Sequence, residues 1–395
     1  MILRQIFAVL MLNLRTIPAR LGSSTVAIIG IAGVVIVFVS VLSISAGFSA
    51  VMSGAGSPSR AIILRAGSET ELTSAIGGME VRIIKEAPGI MRDGDTAVAT
   101  ADLYVIIDIP KINTPGSSAN VPMRGIEAEA MKVRSGISLI EGRMFRFGTN
   151  EVIVGRAANQ QYANTKIGDT IVSGQNRWEV VGVFEADGGL PETEIWCDVH
   201  SLQSVYRRTN SFSTVSVRLI TPESFDILKT WLTENPQVHA SVRREDEFYS
   251  SQSETMTRLI NTLGFGIAGL MGIGAIFGAV LTMYTAVASR TREIGTLRAL
   301  GFNSMCVVVS VLAESMVLGG IGGLIGGTAA FLAFNGYQTS TMNFQTFSQV
   351  AFAFRVTPQL LGTGILYALV IGLFGGLLPA IRAARLPIPS ALREL

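Results

Sequence analysis

The sequence predicts an α-helical membrane protein with four transmembrane helices and a large α+β extracytoplasmic domain inserted between helices 1 and 2. Three observations predict it. Charged residues make up only 15% of the 395 positions while hydrophobic residues reach 49%, against roughly 25% charged in an ordinary soluble chain. Four long stretches are almost free of charge. The charge that remains is divided unevenly between one long polar segment and three short basic ones.

The first stretch, Thr25 to Gly47, has no charged residue over 23 positions, and a helix needs about 20 to cross a bilayer. Between Arg258 and Arg290 lie 31 uncharged residues, and between Arg355 and Arg382 another 26. Between Arg298 and Arg355 the one charge is Glu314, and the apolar part runs from about Met305 to Phe334. Single segments tolerate hydrocarbon only as helices, whose backbone groups are satisfied internally. The spans are therefore expected at 23–47, 259–288, 303–334 and 358–381, with a short external loop at 335–357. The first is too long for a signal peptide, and the weak cleavage candidate Ser45-Ala46-Gly47 does not alter that. A basic, amphipathic helix is expected over 1–22.

Residues 48–258 carry a net charge of −5 and the rest of the chain +7. Nine of the ten basic residues outside 48–258 fall in three places: Arg4, Arg15 and Arg20; Arg290, Arg292 and Arg298; Arg382, Arg385 and Arg393. A four-pass topology puts all three on one face, which the positive-inside rule assigns to the cytoplasm together with both termini. The tail 382–395 is then cytoplasmic and 48–258 lies outside.

That outside segment is long enough for its own core. Ala61–Arg65, Val81–Ile84, Tyr104–Ile107, Glu151–Val154, Glu179–Val183 and Val215–Leu219 read as strands from their β-branched content. Glu223–Asn235 reads as an amphipathic helix with Phe225, Leu228 and Leu232 on one face, and Glu127–Val133 as a shorter one. A β-rich submodule is expected at about 135–200, and Ser53–Ser59 reads as a flexible exit from the membrane.

The chain carries little that points to chemistry. There is no G-x-x-x-x-G-K-[ST] phosphate loop. Gly264 to Gly269 matches G-x-G-x-x-G but sits inside an apolar span with no preceding strand, so helix packing is the better reading. The same reading fits Gly274/Gly278, Gly322/Gly326, Gly323/Gly327 and Gly372/Gly376, small residues four apart that let helix backbones approach. His200 and His239 stand in no metal-ligand spacing, and Cys197 and Cys306 fall on opposite sides of the membrane, leaving Cys197 open to pairing between chains. Glu245-Asp246-Glu247 reads as a solvated face rather than a metal site. No cofactor, metal or nucleic acid is expected in this chain. Glu314 stands apart, because a carboxylate inside a span is costly and commonly marks function; neutral or interhelical hydrogen bonding, motion relay and proton coupling remain open for it.

The loop Ser289–Gly301 is short and patterned. As a helix it sets Ile294, Leu297 and Leu300 on neighbouring positions with Arg290, Arg292, Glu293 and Arg298 beside them, and Gly301 as a stop. Such a helix, expected over 289–302, either docks on a partner or lies on the lipid surface.

The stretch Ser289–Gly301 closely resembles the signature after the second span of the MacB/FtsX-like ABC transporter permeases. Asn13–Gly47 resembles that family's N-terminal helix and first span, and Glu141-Gly142-Arg143 through Gly182-Val183-Phe184 its periplasmic core domain. Gly376–Leu386, with Ala391-Leu392-Arg393 beyond, resembles its C-terminal end. The resemblance implies a homodimer or a close pair of such subunits in the bacterial inner membrane, with a periplasmic domain, docked on two cytoplasmic ABC ATPase subunits that hold ATP and Mg. The loop helix becomes the coupling helix: Arg290, Arg292, Glu293 and Arg298 would make polar contacts to the ATPase, while Ile294 and Leu297 fill its groove. The ATPase is expected in trans, because this chain begins at the basic helix.

With no hydrophilic path through the spans, the expected mechanism is mechanotransmission. The second span's 31 uncharged residues give roughly 46 Å of helix, beyond a core of about 30 Å, and so a stalk toward the outside domain. The function expected is export or extraction of a periplasmic substrate, with a periplasmic adaptor and outer-membrane channel as further partners. The alternatives are a non-transport transmitter that regulates an envelope enzyme such as a cell-wall hydrolase, and a membrane-anchored enzyme.

Overall fold

A computed structural model describes residues 21–54, 56–112, 114, 116–387 and 389. The expected N-terminal helix before Leu21, with Arg4, Arg15 and Arg20, and the terminal motif with Arg393 lie outside these residues. The chain divides into two compact units: the helical one takes residues up to Ala46, Leu259–Tyr337 and Phe354 onward, and the second takes Gly47–Arg258 with Gln338–Ala353.

Four long helices dominate the described residues: the first at Leu21–Gly54, the second at Glu245–Ala288, the third at Ser304–Phe334 and the fourth at Pro358–Arg385. All four are long and apolar enough to cross a membrane. Their starts are set by local chemistry. The Asn303 side chain accepts from the Met305 N–H (3.1 Å) and Thr357 Oγ1 from the Leu360 N–H (3.2 Å), with Pro358 in the first turn, which satisfies donors a helix start leaves open.

Glycines decide how the spans pack. A Cβ at Gly319 would lie 2.7 Å from the Ala368 carbonyl oxygen, and one at Gly372 2.7 Å from that of Ser315. Gly376 faces Ser315 and Gly323 faces Ala368, so the third and fourth helices meet backbone to backbone. Gly322 and Gly326 receive Ile31 and Ala32 of the first helix in the same way. Gly274 and Gly278 do not follow this pattern. Both lie on an exposed face of the second helix with nothing within 4 Å, and Gly272 and Ala279 make that helix's contacts instead, to Tyr367 and Gly375.

The second unit is built on a ten-stranded sheet. Its strands are β1 (Arg60–Arg65), β2 (Ala99–Pro110), β3 (Ser118–Ile126), β4 (Ser138–Gly142), β5 (Glu151–Gly155), β6 (Thr170–Ser173), β7 (Asn176–Glu185), β8 (Ile195–Asp198), β9 (Thr214–Arg218) and β10 (Ala240–Arg244). The order is β10-β1-β9-β2-β3-β8-β5-β7-β4, with β6 on β7. Pairing is antiparallel except for β3 with β8 and β5 with β7. The β-rich stretch 135–200 supplies β4 to β8, one contiguous part of this sheet, joined to the rest through β8 and β3. Ser224–Glu234 is helical and buries Phe225, Leu228 and Leu232.

Four sequence expectations change here. Val81–Ile84 lies in a helix, Gly78–Lys85, because Glu80 accepts from the Gly77 N–H (3.1 Å) and Val81 and Ile84 bury at a three-residue spacing. The second helix starts at Glu245, not at 259, because its first turns are polar and carry no hydropathy signal. Glu245 is buried and paired with Arg60 rather than part of a solvated face. The loop 335–357 contains a hairpin, Gln338–Met342 with Gln349–Ala353, that belongs to the sheet unit; Asn120 Nδ2 donates to the Phe347 carbonyl (3.0 Å) and Gln161 Nε2 to that of Thr339 (3.1 Å). In addition, Ser53 and Gly54 are the last residues of the first helix rather than a linker, and Cys197 is fully buried in β8, which closes the option of pairing between chains.

A buried ionic cluster holds the middle of the sheet. Arg124 on β3 donates to both Glu71 oxygens (2.7 and 2.9 Å) and to both Glu194 oxygens (2.8 and 2.8 Å). Glu194 also accepts from Trp196 Nε1 (2.7 Å), and the guanidinium lies 5.0 Å from the Tyr104 ring centre. Replacing Arg124 by Leu is expected to destabilise this unit by about 3–5 kcal/mol, since two buried carboxylates lose their counter-charge; thermal unfolding of the purified chain measures it. At the surface, hydrogen bonds from Arg143 hold the Glu151 carboxyl down at about 2. A depressed folded pKa stabilises above the ordinary carboxylate range and is lost as pH falls. Replacing Glu151 by Gln is expected to flatten the stability profile between about pH 4.5 and 2, read by unfolding across that window.

Candidate functional site at the loop helix

The patterned loop forms one short helix, Thr291–Ala299. Ser289 and Arg290 break it from the second helix, and Gly301 at φ +91° ends it, a left-handed position that favours glycine. The N–H groups of Leu300, Gly301 and Phe302 close the last turn on the carbonyls of Thr296, Arg298 and Leu297 (3.0, 3.1 and 3.2 Å). Its inner face packs Ile294 with Met283 and Val287 of the second helix and Val307 and Val311 of the third.

Beneath that face lies an ion pair. Arg290 Nη1 donates to Glu314 Oε2 (2.9 Å) and Nη2 to Oε1 (3.1 Å). Both residues are buried, at 5% and 4% exposure, so the two-pronged geometry is shielded from water and salt. A second tie lies at the other end of the loop helix, where Arg298 donates to the Leu386 carbonyl just past the fourth helix. Inside the bundle Ser315 Oγ donates to the Gly372 carbonyl (2.6 Å), joining the third helix to the fourth next to Glu314. A groove of about 290 Å³ runs over the pair, with Ala286, Glu293, Thr296 and Leu297 along it.

The structure thus sorts the predicted residues into two sets. Arg290 and Ile294, expected to touch a partner, point into this chain: the first neutralises Glu314 and the second completes an apolar cluster. Leu297 is half-buried along the groove and Arg298 is engaged by Leu386. Arg292, Glu293, Thr296 and Leu300 face outward, with Leu300 72% exposed. Glu314 is an ion-paired carboxylate that receives both prongs of one guanidinium. Sequence reasoning weighed Glu314 and Arg290 separately and missed their pairing. The available signal was Glu314, a lone charge inside an otherwise uncharged span, which needs a partner, with Arg290 the first cation past the end of the neighbouring span.

The pair should behave as a unit. Replacing Glu314 by Ala is expected to cost about 3 kcal/mol, because Arg290 then keeps a buried charge without compensation; converting both, R290M with E314L, should recover most of that. Thermal unfolding of the purified chain in one detergent compares the three proteins, and additive losses in the double variant would contradict the pairing.

Residues 24–234 match the MacB-like periplasmic core domain, and residues 265–388 the FtsX-like permease C-terminal domain. The chain is 26% identical over 286 residues to an uncharacterised ABC transporter permease, YknZ, of Bacillus subtilis, covering 68% of this chain and 67% of that one. It is 25% identical over 397 residues to the macrolide export ATP-binding/permease protein MacB 1/2 of Paracoccus denitrificans, covering 90% of this chain and 56% of that one. It therefore spans little more than half the length of that relative. Among solved structures, the periplasmic region of MacB from Actinobacillus actinomycetemcomitans overlaps 51% of this chain and 95% of its own, at 13% identity and a TM-score of 0.37. The first of the domain matches takes in more than half of the residues, and with the second it places the chain in the MacB/FtsX-type family of ABC transporter permeases.

Proposed function

We propose that this chain is the membrane subunit through which an ABC ATPase, supplied by a separate polypeptide, drives export or extraction of a substrate from the outer face of a bacterial inner membrane. The observation that carries the reading is the two-sided loop helix. Its outer face offers Arg292, Glu293, Thr296 and Leu300, while its inner face is keyed to the third helix through Arg290 and Glu314 and tied past the fourth through Arg298. A helix resting on lipid needs no such key. A helix that receives force does, because displacement must pass to the spans rather than be lost in rotation of the loop.

ATP and Mg belong to the partner in this reading. Binding of nucleotide shifts the partner between states, and the chain follows to the extent that its own contacts differ between them. The unbroken 44-residue second helix, roughly 66 Å at 1.5 Å per residue, supports movement along its axis as the output. Export as the outcome is supported by the names of the MacB relatives. A homodimer supplies the second loop helix that two ATPase subunits require. A periplasmic adaptor and an outer-membrane channel would complete an export route.

The test is co-reconstitution with candidate ATPase subunits. Reversing the outward charge and polarising the outward leucine, E293R with L300D, is expected to lower permease-stimulated ATP hydrolysis about tenfold, the effect of losing one strong interface anchor. Membrane insertion and unfolding temperature should stay unchanged, since neither side chain is buried. Stimulation equal to the parent's would overturn the docking assignment.

A further inference from the structure

A second cleft, of about 350 Å³, lies between the ends of the second and fourth helices on the side that carries the loop helix. Tyr284, Val287 and Ala288 line it from the second helix, Arg382 and Leu386 from the fourth, and Thr291 from the loop helix. The Arg382 guanidinium carbon lies over the Tyr284 ring, 5.4 Å from its centre. A guanidinium held over a ring by its charge keeps its N–H donors available to an anion. Among the described residues no carboxylate pairs with Arg382, and its side chain is exposed.

We propose that this cleft binds one anionic phospholipid of the adjoining leaflet, with the phosphate on Arg382 and an acyl chain along Val287 and Ala288. Three features select that occupant. The cleft sits at the end of two apolar spans, at the depth where Tyr and Arg side chains meet headgroups. Its surroundings are cationic: among the described residues at this end Arg292 and Arg385 are also exposed, against one exposed acid, Glu293. An anion is therefore drawn in, and each such Arg is worth about 1 kcal/mol against an anionic lipid surface. Finally, apolar walls beneath one cation match an amphiphile, whereas a soluble phosphate gains nothing from them. The site also touches the loop helix indirectly, because Leu386, which lines the cleft, is the residue whose carbonyl accepts from Arg298. This inference depends on the helices spanning a membrane and is independent of the ATPase reading.

The experiment uses the full chain, stripped of lipid in detergent, then exposed to equimolar phosphatidylglycerol and phosphatidylcholine and examined by native mass spectrometry. The parent is expected to retain one phosphatidylglycerol per chain, preferred about fivefold over phosphatidylcholine, as one Arg at an anionic surface implies. R382Q should abolish the preference and R382K restore part of it, which separates loss of charge from loss of fold. A288W should remove retention of both lipids by filling the wall. Excess inorganic phosphate should leave phosphatidylglycerol in place. Equal retention of the two lipids by the parent, an unchanged preference in R382Q, or displacement by inorganic phosphate would each overturn the proposal.

Discussion

The helical unit depends on one bidentate contact, that of Arg290 with Glu314. Burying both charges is expensive, and a well-packed apolar pair of the same size would commonly be as stable or more so. What the ion pair provides is direction. An apolar contact tolerates sliding and rotation by a few ångströms at little cost. Two parallel N–H to O bonds hold one orientation, and any departure exposes a charge to hydrocarbon. Arg290 stands where the second helix has ended and the loop helix begins, and Glu314 is embedded in the third. Three elements therefore share one joint, and the loop helix cannot turn without moving the third span or breaking the pair.

The glycine contacts determine what moves with it. Gly319, Gly323, Gly372 and Gly376 bring the third and fourth helices so close that added methyl groups would meet backbone or Cβ atoms at under 3 Å. Interfaces of this kind leave little room for relative shift, so these two helices act as a block to which the loop helix is tied at both ends. The second helix is different. Its span is 22% buried, against 50% for the third, and Gly274 and Gly278 meet no neighbour in this chain. Of the four spans it is the least buried within this chain.

The four spans could be read from the sequence because lipid imposes a long, one-dimensional signal: absence of charge over the width of a bilayer. The sheet strands could be read for a similar reason, since β-branched runs such as Glu151–Val154 suit a buried strand and little else. The failures are places where no such one-dimensional signal exists. The turns Glu245–Arg258 are helical yet polar, and nothing in composition separates them from a solvated loop. The hairpin after the third helix lacks charge and was absorbed into the gap between two apolar stretches. Val81–Ile84 is apolar and β-branched, but one capping carboxylate three residues after Gly77 outweighed that preference. At the candidate site the loop helix and its residues were visible, whereas which face it turns inward was not. That depends on Glu314, 24 residues further on, and a local pattern carries no information about a distant partner.

The same 44-residue helix has a buried ion pair near each end. At one end Glu245, in its first turn, pairs with Arg60 of β1, and Phe248 and Tyr249 pack with Ile62 and Leu64 of that strand. At the other, Arg290 follows its last residues and pairs with Glu314. Between these points the Tyr367 hydroxyl donates to the Ala268 carbonyl, and the described residues show no further ion pair from this helix to another element. Each end is held by directional hydrogen bonds between charged groups. Two ion pairs therefore bracket the second helix, one holding its polar start on β1 and the other holding the turn after its last residue on the third helix.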